Sequence, residues 1–523
     1  MGKTSLASRL RQSAGAILFD STTLSSAAAQ ARADHRTQER RIEQLDKSTR
    51  GKWLSLEVNK LLMNNRSIRL LVVDAIGSEQ QVRWIRQSGW PIVHVHLTAA
   101  RDVLKRRYSA HFRRREAAPR FDAVADTPAQ RAAAALEQTA DVVINTDRCS
   151  KNDVFARVAA RLEIRPVTAP ALVDVLIGGQ YGSEGKGNIV HYLAPEYDVL
   201  VRVGGPNAGH KVFRRGQDPF TFHQLPSGAL GNQRAKLVVG AGAVLGLDVL
   251  RKEISELAIE VGKLIIDPQA MVIEGKDIRL ETRTLKNTIA STAQGVGAAT
   301  ARKSLHRYPN SGVRLARDIP ALKHYIGDTV EFFASCLSSG QRIMLEGTQG
   351  TSLSIHHGPY PHVTSRVTTA PGCLAEAGIA ARHVRRVVLV CRTYPIRVGN
   401  TDTGMTSGFM SLPISLAQIS KRSGIPLAEL RKTERTSTTN RPRRIAEFDW
   451  AQLRRSLLLN GPTDIALTFA DYLGISNREA FRYEQLNVET LRFIEEVEKV
   501  GSIPVSLIST AFSDRNIIDR RMW

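Results

Sequence analysis

The segment Ile177-Gly178-Gly179-Gln180-Tyr181-Gly182-Ser183-Glu184-Gly185-Lys186-Gly187 places five glycines, a lysine and a serine within eleven residues. Glycines permit positive φ and a close approach of backbone to ligand. A helix expected to begin near Gly187 aims its N-terminal amides, together with the Lys186 ammonium, at an anion. The chemistry this permits is phosphate binding by Gly182, Glu184, Gly185, Lys186 and Gly187; a purely structural glycine turn is the competing reading. Further on, Val203-Gly204-Gly205-Pro206-Asn207-Ala208-Gly209-His210 carries a second glycine loop to a histidine. Such a histidine acts as a general acid near neutral pH or steadies a transferring phosphoryl group. A cationic group, Arg441-Pro442-Arg443-Arg444, follows Ser437-Thr438-Thr439-Asn440. Guanidinium forks match carboxylates bidentately, so this loop suits an acidic substrate; a solvated basic face is the alternative.

These groups need strands to deliver them. Val173–Ile177 reads as a buried strand entering the first loop, and Val201–Val203 as one entering the second. Helix-like and strand-like runs alternate along the chain, which predicts an α/β fold with mainly parallel strands. Two prolines in Ile164–Leu172 stop the helix-like stretch before them. The expected division is residues 1–165, a linker at 166–172, and a large domain at 173–523. No internal repeat of 20–50 residues is visible.

The first 165 residues read as a small α/β unit. Gly2-Lys3-Thr4 resembles the tail of a phosphate-binding P-loop opening a helix through Ser5–Arg11. The strand and first glycine that should precede it are missing, so either the start lies upstream of Met1 or the site is broken. Strands are expected at Ile17–Asp20, Leu70–Asp74, Ile92–Leu97 and Val142–Asn145. A basic helix carries Arg101, Lys105, Arg106 and Arg107, followed by Arg113–Arg115, and suggests an arginine-rich lid near 106–120. The order is similar to that of small P-loop nucleotide kinases, as an active kinase or as a degenerate or regulatory domain.

Composition bounds the rest. The chain has 523 residues, 73 Lys+Arg against 50 Asp+Glu, and a net charge of +23. Residues 1–165 hold 29 Lys+Arg and 17 Asp+Glu, a surplus of +12, leaving 44 against 33 beyond them. That excess asks for polyanionic partners. No zinc-finger, RRM or helix-turn-helix pattern accompanies it, which makes nucleic acid unlikely as a partner. With 42% hydrophobic residues a sizeable core is expected. Four cysteines without C-x-x-C spacing fit a reducing compartment, hence the cytoplasm. No apolar run is long enough for a membrane span, so no membrane association is expected.

Together the two glycine loops closely resemble those of the adenylosuccinate synthetase family. Further motifs follow in order: Ile289–Gly297 with Thr292; Leu345-Glu346-Gly347-Thr348-Gln349-Gly350-Thr351; His357–Ser365; Thr393–Gly399; Ser437–Arg444; Leu467–Asp471; and Ile508-Ser509-Thr510. The resemblance spans about 172–520. It implies an α/β domain with a large, mostly parallel central sheet and a ligase that couples triphosphate hydrolysis to joining L-aspartate to C6 of a 6-oxopurine nucleotide. Phosphorylation of O6 makes a good leaving group, which the amine then displaces; Mg²⁺ carries phosphate charge. By resemblance Ser183, Lys186, His210 and Gln349 form the catalytic set. Ser183 and the Gly209 carbonyl stand where Mg²⁺ is held. Asn207, Thr292, Gln349 and Thr364 hold the acceptor nucleotide. Asp471 and Ser509 read the base of the triphosphate, and Thr438, Thr439, Arg441 and Arg443 hold aspartate. A homodimer is implied, with Arg307 reaching the partner's nucleotide.

Ser183 departs from the family pattern, which has aspartate there as base and metal ligand. Variants with serine at this place act on (d)GMP, and a shorter side chain leaves room for the 2-amino group. The expected acceptor is therefore (d)GMP. The alternatives are IMP with GTP, as in ordinary members, and a decayed nucleotide-binding regulator. Phe469 stands where the family has lysine, two residues before Asp471, and is expected to stack on the base. This leaves GTP, ATP and dATP all open as co-substrate.

Overall fold

The structure is a computed structural model that describes residues 3–14, 16–19, 44–65, 68, 70–74, 76–112, 120–147, 149–162, 171–214, 216–402, 404, 406–435, 441–513 and 516–521. The chain forms two compact units, Met1–Thr168 and Ala169–Trp523. Thr438 and Thr439, most of the stretch expected to link the units, and Arg113–Arg115 lie outside the described residues.

In the first unit a helix spans Lys3–Ala14, and Ile17–Phe19 pairs in parallel with Leu71–Val73. Val95–Thr98 pairs in parallel with Val142–Asn145. That strand begins three residues later than the apolar run suggests. The Asp141 carboxylate accepts from the His94 amide at 2.7 Å and closes the ladder there. Leu10, Ile144 and Val158 form one buried cluster, and Phe19, Trp53, Leu54 and Ile85 another. Two residues of the basic helix are tied down. Arg101 pairs with Asp122 and Asp126 at 2.9 and 2.8 Å, and Arg107 donates to Thr146 O at 2.6 Å.

The second unit is built on a nine-stranded sheet. In chain order its strands are β1 Val173–Gly178, β2 Val199–Arg202, β3 Lys236–Val239, β4 Leu264–Ile266, β5 Ile343–Gly350, β6 Val384–Arg392, β7 Asp464–Thr468, β8 Val505–Ser509 and β9 Ile517–Asp519. In space they run β4-β3-β2-β5-β1-β6-β7-β8-β9. All pairs are parallel except β8–β9. This is the expected α/β class with a large, mostly parallel sheet.

The alternation along β1 explains why both faces are covered. Val175 and Ile177 enter one core cluster with Leu345, Leu389 and Leu467, while Leu176 enters the other with Ile189, Leu200 and Met344. Each such side chain, fully buried, contributes about 1.5–3 kcal/mol. The chain moves outward from β1 through β2, β3 and β4, returns as β5 between β2 and β1, then crosses to β6. Strand order thus reverses around β1, and ligands of open α/β sheets bind at the carboxyl ends of strands beside such a reversal. The loops after β1, β2, β5, β6 and β7 all leave from those ends. Among the described residues no helix is long and apolar enough to cross a membrane.

Candidate active site

The loop after β1 turns sharply because Gly182 and Gly185 have φ of 104° and 83°. At Gly182 a Cβ would come within 2.9 Å of Gln349 Cα, so only glycine lets the two loops touch. The helix begins at Lys186, one residue before expectation, with Gly185 as its N-cap. Gly187 is equally constrained: a Cβ there would lie 3.0 Å from both His210 Cβ and the Lys211 carbonyl. This close approach sets the histidine beside the start of the helix.

The Glu184 carboxylate points inward rather than toward a ligand. Its Oε1 accepts from the Gln180 and Gly182 amides at 3.1 and 2.6 Å, and its Oε2 accepts from Lys186 Nζ at 2.7 Å. Lys186 Nζ also donates to the Gly182 carbonyl at 3.0 Å. Both side chains are buried. Glu184 therefore braces the loop and balances the lysine charge in this state. Ser183 is half-buried, and its carbonyl accepts from Arg392 Nη1 at 3.4 Å.

His210 is held by two residues that its own motif does not predict. Glu346 and Arg202 are register partners on β5 and β2. Their side chains pair at 2.9 Å, and Glu346 Oε1 meets His210 Nδ1. Glu346 also accepts from the Ser227 amide and hydroxyl at 2.7 and 2.6 Å. Burial, and then the Arg202 charge, push the His210 pKa down to about 3. Burial alone would raise Glu346, but Arg202 and His210 outweigh it and hold the carboxyl at about 2. The imidazole is thus neutral; its Nδ1 faces Glu346 Oε1 and, at 3.0 Å, Arg202 Nη1, while Nε2 is buried without a hydrogen-bond partner.

A second buried cluster centres on Glu434. Arg392 Nη2 and Tyr472 OH donate to its Oε1 at 2.7 and 2.6 Å, and Arg443 Nη1 lies 3.4 Å from Oε2. Burial lowers the Arg443 pKa. Arg444 donates to Ser407 Oγ at 2.7 Å and to the Gly408 carbonyl at 2.6 Å. Arg441 is half-buried. Phe469 has a left-handed φ of 58°, and its ring is covered by the Arg392 guanidinium at 3.8 Å. One face of that ring is therefore already occupied. Two residues on, Asp471 Oδ2 accepts from Arg478 Nε at 3.0 Å, and burial pushes the carboxyl up to about 6 against the pull of Arg478. Ser509 Oγ donates to the Ala511 carbonyl at 3.2 Å.

The loops expected to hold the acceptor converge. A Cβ on Gly205 would strike Val296 Cγ2 at 2.6 Å, and one on Gly297 would meet Ser365 Cβ at 3.0 Å. The segments carrying Asn207, Thr292 and Thr364 therefore adjoin. Ala290, Ala293 and Gly295 all have positive φ, which folds the Thr292 loop tightly. At the start of the helix Val296–Leu305 behind it, Glu281 accepts from the amides of Gly295, Gly297 and Ala298 at 2.7, 2.6 and 3.1 Å. Arg307 stands apart, exposed just beyond that helix.

Five polar atoms in these loops are buried without a hydrogen-bond partner: Asn207 Oδ1, His210 Nε2, Gln349 Nε2, Arg392 Nε and Arg443 Nε. Buried polar groups are normally satisfied, so each of these atoms is open to a hydrogen bond from a ligand. Gln349 adds a left-handed φ of 58°, backbone strain of the kind that gathers at functional sites. Sequence reasoning assigned no role to Arg202, Glu281, Glu346, Arg392 or Glu434. A usable signal existed for three of them: Arg202, Glu346 and Arg392 each directly follow a run of at least three apolar residues, Val199–Val201, Ile343–Leu345 and Val387–Cys391.

A family model described as adenylosuccinate synthetase matches residues 175–319 and 313–478. The adenylosuccinate synthetase of Methanococcus aeolicus is 34% identical over 355 residues, covering 66% of this chain and 99% of its own. That of Pyrococcus sp. is 34% identical over 357 residues, covering 66% and 98%. Among solved structures, fully ligated adenylosuccinate synthetase from Plasmodium falciparum has a TM-score of 0.58 at 20% identity, covering 67% of this chain and all of its own, a likeness of fold. Cyanophage S-2L succinoaminodeoxyadenylate synthetase, bound to dGMP and to dATP as an energy donor, has a TM-score of 0.55 at 28% identity, covering 67% and 96%. With its sheet, its glycine loops and these relatives in agreement, the chain belongs to the adenylosuccinate synthetase family of carbon–nitrogen ligases.

Proposed function

We propose that this ligase joins L-aspartate to C6 of (d)GMP through a 6-phosphoryl intermediate, driven by a purine triphosphate. The observation that carries the choice of acceptor is Ser183, a neutral side chain in a loop whose bracing by Glu184, Lys186 and Gly182 is otherwise intact. A hydroxyl in place of a carboxylate removes a negative charge near purine N1 and leaves space for a 2-amino group. The cyanophage neighbour bound to dGMP and dATP supports the same choice.

In this reading Lys186 keeps one ammonium proton for a phosphate oxygen, and His210 Nε2 faces the transferring phosphoryl group. Asn207, Thr292, Gln349 and Thr364 hold the acceptor, and Asp471 and Ser509 hold the triphosphate base. Thr438, Thr439, Arg441 and Arg443 grip aspartate. The donor set near the loop is the Ser183 hydroxyl and the Gly209 carbonyl, since the Glu184 carboxylate is spent on Lys186. Neutral oxygen donors fit Mg²⁺, which prefers oxygen and shares its sphere with phosphates and water. When bound, Mg²⁺ neutralises charge on the phosphates. Arg307 is read as the arm that reaches a second copy's nucleotide in a homodimer.

The test is a panel of IMP, dIMP, GMP and dGMP with aspartate, Mg²⁺ and either GTP, ATP or dATP, read by phosphate release and product mass. Release that requires aspartate together with GMP or dGMP is expected. Turnover of IMP alone would instead assign ordinary adenylosuccinate synthesis, and binding without release would assign a regulator. Ser183→Asp is expected to move preference toward IMP.

A further inference from the structure

We propose that Arg392 is a positioning residue that couples occupancy of the aspartate loop to the geometry of the phosphate loop. This rests on the reading of Arg441 and Arg443 as residues that hold aspartate. Arg392 ends β6 and is 1% exposed. Its backbone is clamped by one side chain of the phosphate loop: the Arg392 amide donates to Gln180 Oε1 and Gln180 Nε2 donates to the Arg392 carbonyl, both at 3.0 Å. Its guanidinium touches three separate loops at once. It bonds the Ser183 carbonyl at 3.4 Å and Glu434 at 2.7 Å, and it lies over the Phe469 ring at 3.8 Å.

Charge gives the coupling its direction. Glu434 is a buried carboxylate between the buried Arg392 and the half-buried Arg443. Both arginines have an Nε with no partner. The cluster therefore holds a surplus positive charge that an arriving carboxylate balances, since a buried charge without compensation is costly. Once Arg443 shares a substrate carboxylate, its claim on Glu434 falls and Glu434 settles on Arg392. A guanidinium is a rigid planar fork, so tightening one prong fixes the direction of the other. That other prong holds the carbonyl of Ser183, which lies between the two turning glycines Gly182 and Gly185. Aspartate binding thereby organises the loop that receives the phosphates, and the converse follows by linkage.

The experiment uses the full chain with Mg²⁺, L-aspartate, dGMP and the β,γ-imido analogues of ATP and GTP, in titration calorimetry. In the native protein aspartate should tighten binding of the analogue by about tenfold, within the usual range of coupling between sites. In Arg392→Met this factor, taken as the ratio of analogue affinities with and without aspartate in the same chain, should fall below about twofold. Arg392→Lys keeps the ion pair with Glu434 but lacks the fork, so it should fold and yet also lose the coupling. Arg392→Met with Glu434→Gln removes both charges and serves if the single variant misfolds. Equal coupling in the native and lysine chains would overturn the role of Arg392, as would absence of coupling in a native chain that binds both ligands. Failure of the native chain to bind aspartate at all would instead overturn the reading of the loop.

Discussion

His210 and Glu346 meet at Nδ1, and that contact leaves Nε2 buried with no partner of its own. The carboxylate comes from the middle of a central strand and is held in turn by Arg202 and Ser227. The orientation of the imidazole is thus decided by the sheet, not by the loop that carries the histidine.

Glu346→Gln should lower kcat by about a hundredfold or more, since positioned acid–base groups contribute factors of 10²–10⁴. It should also destabilise the fold by about 3–5 kcal/mol, because Arg202 loses its buried partner. Coupled phosphate release and urea unfolding measure the two effects. An unchanged kcat would mean that Nδ1 needs no anchor.

The His210 contribution to stability should fall with acid from near neutrality downward. Folded His210 binds its proton only at about pH 3, against an ordinary 6.5, so the unfolded chain takes up a proton first as pH falls. The stability tied to neutral His210 is complete above 6.5 and declines toward 3. Glu346, held at about 2 against an ordinary 4.5, supplies stability that is complete above 4.5 and declines toward 2. Asp471, held up at about 6 against an ordinary 3.8, acts in the opposite sense between those values. The His210 contribution is therefore read as a difference between chains: calorimetric Tm should fall more with acid in the native protein than in His210→Gln, and parallel Tm profiles would contradict this.

Gln349→Gly and Gln349→Ala should part company. Both remove the buried amide and should raise the acceptor KM. Only glycine relieves the left-handed backbone, a strain of about 1–3 kcal/mol, so the glycine variant should unfold at higher urea than the alanine variant. Equal midpoints would show that φ at this residue carries no strain.

Gly187→Ala tests the seat of the histidine. A methyl group would meet His210 Cβ and the Lys211 carbonyl at 3.0 Å, and the backbone oxygen cannot rotate away. Stability should fall by about 1–3 kcal/mol, the usual result of overpacking, with kcat lowered more than KM. A variant with native kcat would place His210 outside the phosphoryl-transfer geometry.

Much of this protein is readable before any coordinates. Glycine spacing at 178–187 and 204–209, and the basic loop ending in Arg443 and Arg444, reveal phosphate and carboxylate chemistry because such loops have few sequence solutions. The run at 173–177, apolar apart from Asp174, reveals a strand buried on both faces, as parallel sheets require. What these patterns cannot reveal is which distant charges meet. Arg202 and Glu346 are 144 positions apart, yet strand order makes them neighbours. Arg392 reaches Ser183, Glu434 and Phe469 only because β6 lies between β1 and β7. Likewise the inward turn of Glu184 is settled by the geometry of a loop that closes around its own lysine. Residue type and local spacing therefore determine which loops bind anions. Tertiary structure decides which carboxylates orient and balance the cations in them, because those pairings depend on strand order and burial rather than on separation along the chain.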